Sequence, residues 1–456
     1  MHSLRIISVP LGLYISVPFC RTKCSYCNFA SGVFSKSACE NYVARLLEDI
    51  AGSREFAAEL GCVPDDTADS IYLGGGTPSV LHGEQLRRIF AAVRGQFAIT
   101  PDAEITVECA PGTLSPPLVE TLLQCGVNRV SLGVQSFVDR EAQSVGRLHK
   151  RSTVLEEIVR LREAGLANIS IDLIAGLPHQ TAETWAYSVS ETIATGVPHV
   201  SVYMLEVDDD SRLGRELIAG GARYHAHFVP DDDVTADFYQ QACDMLEAAG
   251  IAQYEISNFA RAEKRAPHPS SAWAGPLQSN QSRHNLKYWT RQPYLGFGVD
   301  AHSMLAVDAQ QDDCRQAIRF ATPDSLDAYM NRSPHVVTPI SAQAAVEESF
   351  FLGLRLNRGI DLSFLNLNCH PERSEGPAVR WRSVQTLSPL HALSRDATDA
   401  WESAIKHSLQ DTLLEQQGSI LRLTPRGRLL SNEVFARFLA EKAEETKVGT
   451  GHVNPR

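Results

Sequence analysis

The stretch Cys20-Arg21-Thr22-Lys23-Cys24-Ser25-Tyr26-Cys27 holds three cysteines at the spacing C-x3-C-x2-C, just after the apolar run Leu13-Tyr14-Ile15-Ser16-Val17. Three thiolates this close can each hold one iron of a [4Fe–4S] cluster and leave the fourth iron open. The alternatives are a loop with incidental thiols and a zinc site. A structural zinc site needs a fourth ligand, which no nearby residue obviously supplies, and more often uses paired Cys-x2-Cys units. The spacing therefore favours an iron–sulfur cluster whose open iron binds a substrate.

Composition narrows the class of protein. The chain has 456 residues, of which 43% are hydrophobic and 21% charged, and this length suits one large domain with a smaller one. The formal net charge of −12 argues against nucleic acid as the main partner. No apolar run approaches the ~20 residues that a membrane span needs, and no secretory signal pattern is evident. Cluster-ligating thiols need a reducing compartment, so we expect a cytoplasmic protein without a stable membrane span.

Short apolar runs alternate with stretches of helical periodicity through the first half of the chain. Six such units with short connections predict an α/β fold with a parallel sheet, and six are fewer than the eight of a closed barrel. The predicted strands cover 13–17, 70–73, 104–107, 129–134, 168–171 and 199–205, and the predicted helices cover 38–60, 83–93, 116–124, 153–164, 183–194 and 233–248.

Each of four predicted strands is followed directly by a glycine run or a polar residue. These are residues 74–77, Glu108, Gln135 and Asp172. The carboxyl ends of parallel strands meet at one rim, which is where α/β barrels bind ligands. A single acidic residue at a strand end is more often a loop or cap residue. Several such ends around a cysteine loop predict a shared site.

The cysteine spacing and the string YISVPFCRTKCSYCNF at 14–29 resemble the radical S-adenosylmethionine (SAM) superfamily. Within it, the chain is similar to the oxygen-independent coproporphyrinogen III oxidases and the related HemW heme chaperones, from residue 13 to about 439. The resemblance implies an open three-quarter (β/α)6 barrel with a [4Fe–4S] cluster on Cys20, Cys24 and Cys27. It also implies that SAM binds the open iron, where a reduced cluster cleaves it to a 5′-deoxyadenosyl radical.

Further site residues follow from matches to the family's motifs. The GGGTPS motif at 74–79 implies that Gly75, Gly76 and Thr77 hold the amino group and backbone edge of SAM. A matching glutamate, Glu108, is implied near the SAM ribose or amino group. Arg147 suits the SAM carboxylate because a guanidinium pairs two oxygens at once, although its position alone fits a surface loop. The remaining SAM-site matches are Tyr14, expected beside the cluster, and Gln135 and Asp172.

A second motif, H-N-x-x-Y-W, occupies residues 284–289 and is associated with HemW. Its histidine, His284, has two interpretations: a ligand of heme iron, or a hydrogen-bonded residue in an aromatic core. His302, in the glycine-rich stretch 296–303, has the same two interpretations. We include His284 among the predicted cofactor-binding residues.

The predicted organisation has a radical SAM partial barrel at 1–250 and a family-specific extension at 251–340. A helical, winged-helix-like domain follows at 341–440, with helices predicted at 347–356 and 401–416, and a disordered tail at 441–456. Two stretches depart from the family pattern and are interpreted as insertions, 263–281 and 368–395. The second resembles translated intergenic repeat DNA, so Cys369 and His370 are not taken as a metal site.

Two functions of different classes remain open. One is the oxidase, a radical SAM enzyme that decarboxylates two propionates of coproporphyrinogen III. The other is a HemW-type chaperone that binds the cluster, SAM and heme, with a recipient hemoprotein and an electron donor as partners. The oxidases carry a cysteine where this chain has Phe29, and they have a longer segment before the first strand. Both features and the H-N-x-x-Y-W motif favour the chaperone.

Overall fold

The computed structural model describes residues 9–262, 280–307, 315–365 and 395–439. The predicted insertions and the predicted tail lie almost wholly outside these ranges, as do Cys369 and His370. The strands are β1 (Leu11–Val17), β2 (Thr67–Gly75), β3 (Ala98–Cys109), β4 (Arg129–Gln135), β5 (Ile169–Ala175), β6 (His199–Met204), β7 (Ile251–Gln253), β8 (Asn258–Arg261), β9 (Tyr294–Phe297), β10 (His302–Ala306), β11 (Arg315–Ala321), β12 (Val336–Ser341), β13 (Ile360–Asp361), β14 (Leu414–Gln417) and β15 (Ile420–Leu423).

The helices between β1 and β6 cover the outer face of the sheet. In chain order, the helices are α1 (Lys36–Glu59), α2 (Gly83–Gln96), α3 (Pro116–Gln124), α4 (Asp139–Ser144), α5 (Arg151–Glu163), α6 (Ala182–Thr195), α7 (Arg212–Ala219), α8 (Asp232–Ala248), α9 (Arg283–Trp289), α10 (Leu326–Met330), α11 (Ala342–Gly353), α12 (Arg395–Gln410), α13 (Pro425–Leu429) and α14 (Ser431–Ala436), with short 3-10 turns at Pro78–Val80, Ala226–Phe228 and Leu362–Leu365.

Strands β1 to β6 lie side by side in chain order, and each pairs in parallel with the next. A parallel strand must be followed by a crossover, and the helices α1, α2, α3, α5 and α6 supply these connections. The sheet does not close on itself: in the described residues its strand order runs β12-β11-β10-β9-β1-β2-β3-β4-β5-β6-β8-β7. The predicted open α/β barrel is therefore confirmed.

Successive side chains of these strands point to opposite faces of the sheet, so apolar and mostly polar residues alternate along each strand. The outward residues of β1, such as Leu13 and Ile15, join the main apolar core under the helices. The inward residues are mostly polar. They include Tyr14 and Ser16 on β1, Ser70 and Tyr72 on β2, Glu104 and Glu108 on β3, Ser131 on β4, Asp172 on β5, and Ser201 and Tyr203 on β6. The concave interior is thus a polar lumen, and the apolar side packs against the helices.

The segment after α8 extends the sheet at both edges. Strands β8 and β7 add to β6 in antiparallel orientation, while β9 pairs in parallel with β1 and leads into the antiparallel strands β10, β11 and β12. This two-sided extension was not predicted, because the two pairings that attach it, β8 with β6 and β9 with β1, join segments distant in sequence.

The C-terminal unit has its own apolar core and a three-stranded antiparallel sheet in the order β13-β15-β14. The hairpin of β14 and β15, flanked by α12 and α13, matches the expected winged-helix-like design. The helix predicted at 401–416 is partly wrong: it ends at Gln410, and residues 414–417 form strand β14. Pairing with β15 places Leu414 in the core, which a continued helix would not do.

Candidate functional site

The three cysteines lie on the loop between β1 and α1, at the carboxyl end of the parallel sheet. The base of the loop is closed where the Cys20 N–H donates to Gly32 O at 2.8 Å and the Gly32 N–H donates to Pro18 O at 2.9 Å. Hydroxyl groups stand beside two of the sulfurs. Thr77 Oγ1 donates to Cys20 Sγ at 3.6 Å, and Ser31 Oγ lies 3.8 Å from Cys27 Sγ. The loop therefore has a fixed shape with polar neighbours for its thiols.

Residues beyond β4 hold the tip of the cysteine loop. Thr22 Oγ1 donates to Gly146 O at 2.9 Å, and the Ser25 N–H donates to Val145 O at 3.1 Å. On the other side, the Leu213 N–H at the start of α7 donates to Ser25 O at 2.8 Å. These bonds connect the loop to two elements far away in sequence, so its position depends on the assembled barrel.

Arg147 lies against the cysteine loop. Its Nη1 donates to Cys24 Sγ at 3.6 Å, and its Nη2 donates to the carbonyl of Gly133 on β4. Arg147 therefore places a positive charge beside the sulfur of the middle cysteine. Arg147 thus links the cysteine loop to strand β4. Its expected contact with a SAM carboxylate stays a prediction.

The donor set suits a cluster better than a single ion. In the ranges that the structure covers, no three His, Cys, Asp or Glu side chains converge so as to hold one metal ion. A [4Fe–4S] cluster does not require such convergence, because each thiolate binds its own iron. Three cysteines spread over one loop, with a cation and hydroxyls beside them, fit that arrangement.

The glycine run at the end of β2 packs directly on the cysteine loop. The Gly76 N–H donates to Val17 O at 3.0 Å, and the Thr77 N–H donates to Phe19 O at 2.8 Å. A Cβ on Gly76 would lie 2.6 Å from Val17 O, so no larger residue fits there without displacement. Gly75 has φ +95, a left-handed conformation that favours glycine. The glycine run is therefore needed for the close packing of its backbone against the cysteine loop.

Glu108 points into the lumen and accepts a hydrogen bond of 2.8 Å from Tyr72 Oη. Burial raises the pKa of Glu108 to about 7; the charge of Asp172 also raises it, while the bond from Tyr72 opposes the shift. A carboxyl group with this pKa can change protonation near neutral pH when a cationic ligand arrives.

Asp172 also faces the lumen, where Ser131 Oγ donates to its carboxylate oxygens at 3.0 Å. Burial raises the pKa of Asp172, and the hydroxyls of Ser201 and Ser131 oppose the shift. The expectation that Asp172 ends its strand is wrong, since β5 continues to Ala175. Its carboxylate therefore lies deeper in the lumen than the rim.

Gln135, at the end of β4, has φ 70, an uncommon conformation for a residue other than glycine. Its Oε1 is buried and makes no hydrogen bond in the structure. Such an orphaned acceptor costs free energy unless a ligand supplies an N–H or O–H donor. The amino group and ribose hydroxyls of SAM are donors of this kind, so the residue fits its predicted role.

Tyr14 lines a cavity of about 310 Å³ that runs along β1 and β9 and is also bordered by Gly75, Tyr288 and His302. Its ring lies 6.2 Å from that of Tyr72, measured between centroids. Tyr14 thus stands between the glycine run and the aromatic residues of the extension.

His284 is not near the cysteine loop. It lies at the start of α9, which packs across the amino ends of the strands: Lys287 Nζ donates to Pro10 O at 2.7 Å, and the His284 N–H donates to Glu104 at 3.1 Å. The imidazole is 1% exposed, and its two nitrogens lie 3.1 Å from Ser70 Oγ and 2.7 Å from Tyr288 Oη.

Burial lowers the pKa of His284 to about 3, and the charge of Lys287 adds to the shift. With both ring nitrogens hydrogen-bonded, this geometry favours the structural interpretation of the motif histidine. Helix α9 fills the lumen at the end opposite the cysteine loop.

Sequence reasoning missed the lumen residue Tyr72, which bonds Glu108 and stacks on His284 with ring centroids 5.3 Å apart. The signal that could have identified it is the alternation within β2, where Ser70, Tyr72 and Gly74 share one face.

Among the helices of the described ranges, none combines the length and apolar character that crossing a bilayer requires. A family model described as the radical SAM superfamily matches residues 14–190. An open parallel barrel with a three-cysteine loop at its rim, together with this match, defines a radical SAM protein.

Three relatives illustrate the similarity. The heme chaperone HemW of Bacillus subtilis is 31% identical over 429 residues, covering 94% of this chain and 99% of that protein. HemW of Escherichia coli is 33% identical over 294 residues, covering 64% of this chain and 70% of that protein. The structure of the coproporphyrinogen III oxidase HemN from Escherichia coli matches with a TM-score of 0.71 at 21% identity, covering 94% of this chain and 90% of that one. That likeness concerns the fold alone. The identity to HemW of Bacillus subtilis over nearly the whole length shows that the chain belongs to the HemW family.

Proposed function

We propose that the chain is a heme chaperone of the HemW type, which binds a [4Fe–4S] cluster on Cys20, Cys24 and Cys27, binds SAM, and delivers heme to a recipient hemoprotein. The observation that carries the proposal is the cysteine loop held at the rim of a polar lumen, in a chain of the HemW family. When bound, the cluster supplies a redox-active iron with an open coordination position.

The protein's own groups would act on SAM as binding and orienting residues. The backbone at Gly75, Gly76 and Thr77 runs close beside the cysteine loop, which suits contact with a ligand on the open iron. Gln135 offers a buried acceptor that lacks a partner, and Glu108 can become a carboxylate against a cationic amino group. Asp172 adds a second acidic group deeper in the lumen.

Phe29 favours the chaperone over the oxidase. It stands where the oxidase pattern has a further cysteine, and its side chain is 62% exposed at the mouth of the cavity along β1. An exposed phenyl ring offers an apolar face for a macrocycle and no thiol for chemistry.

The test uses the full chain, reconstituted anaerobically with iron and sulfide. One assay offers it SAM, a reductant and coproporphyrinogen III and measures decarboxylated product. A parallel assay titrates the protein with heme and follows transfer to an apo-hemoprotein. We expect stoichiometric heme binding and transfer without decarboxylation, whereas formation of protoporphyrinogen IX would overturn the proposal.

The cluster assignment has its own variant. We expect Cys24→Ser to lose the iron and sulfide complement and the cluster absorption while the far-ultraviolet circular dichroism stays that of wild type. Cys39→Ser is the matched control, because Cys39 is a partly exposed free cysteine on α1. A Cys24→Ser protein that kept full iron and sulfide would remove Cys24 from the ligand set.

A further inference from the structure

The cavity along β1 and β9 opens beside the cysteine loop. Its volume is about 310 Å³, and aromatic residues form much of its wall: Tyr14, Phe29, Tyr288 and Tyr294. A cavity of this size takes one edge of a large flat ligand, and the exposed ring of Phe29 lies at its mouth. Apolar aromatic faces with few polar groups are what a porphyrin macrocycle requires.

A histidine lines this same cavity. His302 begins strand β10, and 59% of its side chain is exposed. His302 is therefore accessible to a ligand, whereas the imidazole of His284 is buried and hydrogen-bonded at both nitrogens. The motif helix α9 reaches the cavity through Tyr288, whose hydroxyl is the partner of His284.

A carboxylate accompanies His302. Asp300 Oδ1 lies 3.8 Å from His302 Nε2, and Asp300 also lines the cavity. Its backbone is held at φ 53 while its N–H donates to Pro323 O at 2.9 Å. A histidine that ligates a metal commonly directs its other ring nitrogen to a carboxylate, which orients the ring. Asp300 stands on the Nε2 side of the His302 ring at ion-pair distance, so Nδ1 is the nitrogen left for a metal.

We infer that His302, rather than His284, ligates the iron of the heme cargo, with the macrocycle edge in the aromatic cavity and Asp300 orienting the imidazole. The inference rests on the proposed function. Under this inference the helix α9, which carries the H-N-x-x-Y-W motif, has a structural role. His284 holds Tyr288 in place, and Tyr288 forms part of the wall of the aromatic cavity. Gly75 borders the same cavity, so the cargo and the predicted SAM site share a wall.

The experiment compares heme titrations of wild-type protein, His302→Ala and His407→Ala by absorption spectroscopy. His407 is an exposed histidine on α12 and serves as the matched control. We expect His302→Ala to weaken heme binding by about tenfold or more and to shift the Soret band, because an iron–imidazole bond is lost. We expect the control to match wild type.

Two further measurements separate ligation from cavity shape. Free imidazole added to His302→Ala should restore the wild-type Soret position, and His302→Met should give a spectrum with a thioether ligand. A loss of affinity without either response would mean that His302 only shapes the cavity, and it would overturn the inference.

The outcomes also distinguish the two proposals. If wild-type protein binds no heme, the proposed function fails. If wild-type protein binds heme and His302→Ala gives the same spectrum and affinity, the function stands and the ligand assignment is wrong.

Discussion

At the scale of single residues, the carboxyl group of Glu108 links the lumen to the stability of the fold. Burial raises its pKa from the ordinary 4.5 to about 7. Between these two pH values the folded protein keeps a proton that the unfolded chain has released. The free energy of unfolding therefore falls as pH rises from about 4.5 to about 7. In the absence of ligand, the ionised carboxylate is a cost to stability at neutral pH.

Replacing the group by an amide of the same shape should remove this cost. We expect Glu108→Gln to be stabilised relative to wild type at pH 8 but not at pH 4, by up to roughly 3 kcal/mol. Urea unfolding at the two pH values measures the difference, and Glu120→Gln, an exposed site on α3, is the control. Equal differences at both pH values would contradict the raised pKa.

At the scale of elements, the end of β2 and the cysteine loop depend on each other. We expect Gly76→Ala to lower iron incorporation and to destabilise the protein by about 1–3 kcal/mol, because its Cβ would lie 2.6 Å from Val17 O and 2.9 Å from Phe19 O. Iron content after anaerobic reconstitution and thermal unfolding measure the two effects.

The control for that substitution is Gly52→Ala on α1, where an added Cβ meets nothing within 4 Å. Alanine should be neutral or slightly stabilising there, because it favours the helix. If both variants incorporated iron equally, the close packing of the glycine run would not matter for the cluster.

The elements also show how far sequence patterns reach. The six parallel strands and α3 were predictable because local signals determine them: apolar periodicity, and for α3 the prolines of its first turn. Asp172 was misplaced because the polar residue inside β5 resembles a strand end, although it faces a polar lumen. The surroundings of His284 come from Ser70, Glu104 and Tyr288, and two of these three residues lie far away in sequence. No local pattern contains that information.

At the scale of the whole molecule, the second apolar core is joined to the main sheet near Ile256, which lies between β7 and β8. Trp401 of this core is 4% exposed, and its ring centroid lies 6.0 Å from that of Phe350. Helix α11, which carries Phe350, also packs against the opposite edge of the sheet, where its Glu348 pairs with Arg319 of β11 at 2.8 Å. The C-terminal unit therefore contacts both edges of the sheet.

We expect Trp401→Ala to destabilise the C-terminal unit by about 3–5 kcal/mol while the cluster absorption and iron content stay at wild-type values. Limited proteolysis and thermal unfolding followed at several wavelengths would detect the early loss of this unit. Glu402→Ala, at an exposed neighbouring position, is the control. Loss of the cluster in Trp401→Ala would show instead that the two cores are coupled.

The bond from Thr22 to Gly146 joins residues 124 positions apart in sequence. A ribosome adds about 5–20 residues each second, so roughly 6–25 seconds pass between synthesis of the three thiols and synthesis of the groups that hold them. During that interval the cysteine loop is exposed to oxidation and to unwanted metals. We therefore expect the timing of cluster insertion during biogenesis to follow completion of the barrel rather than appearance of the cysteines.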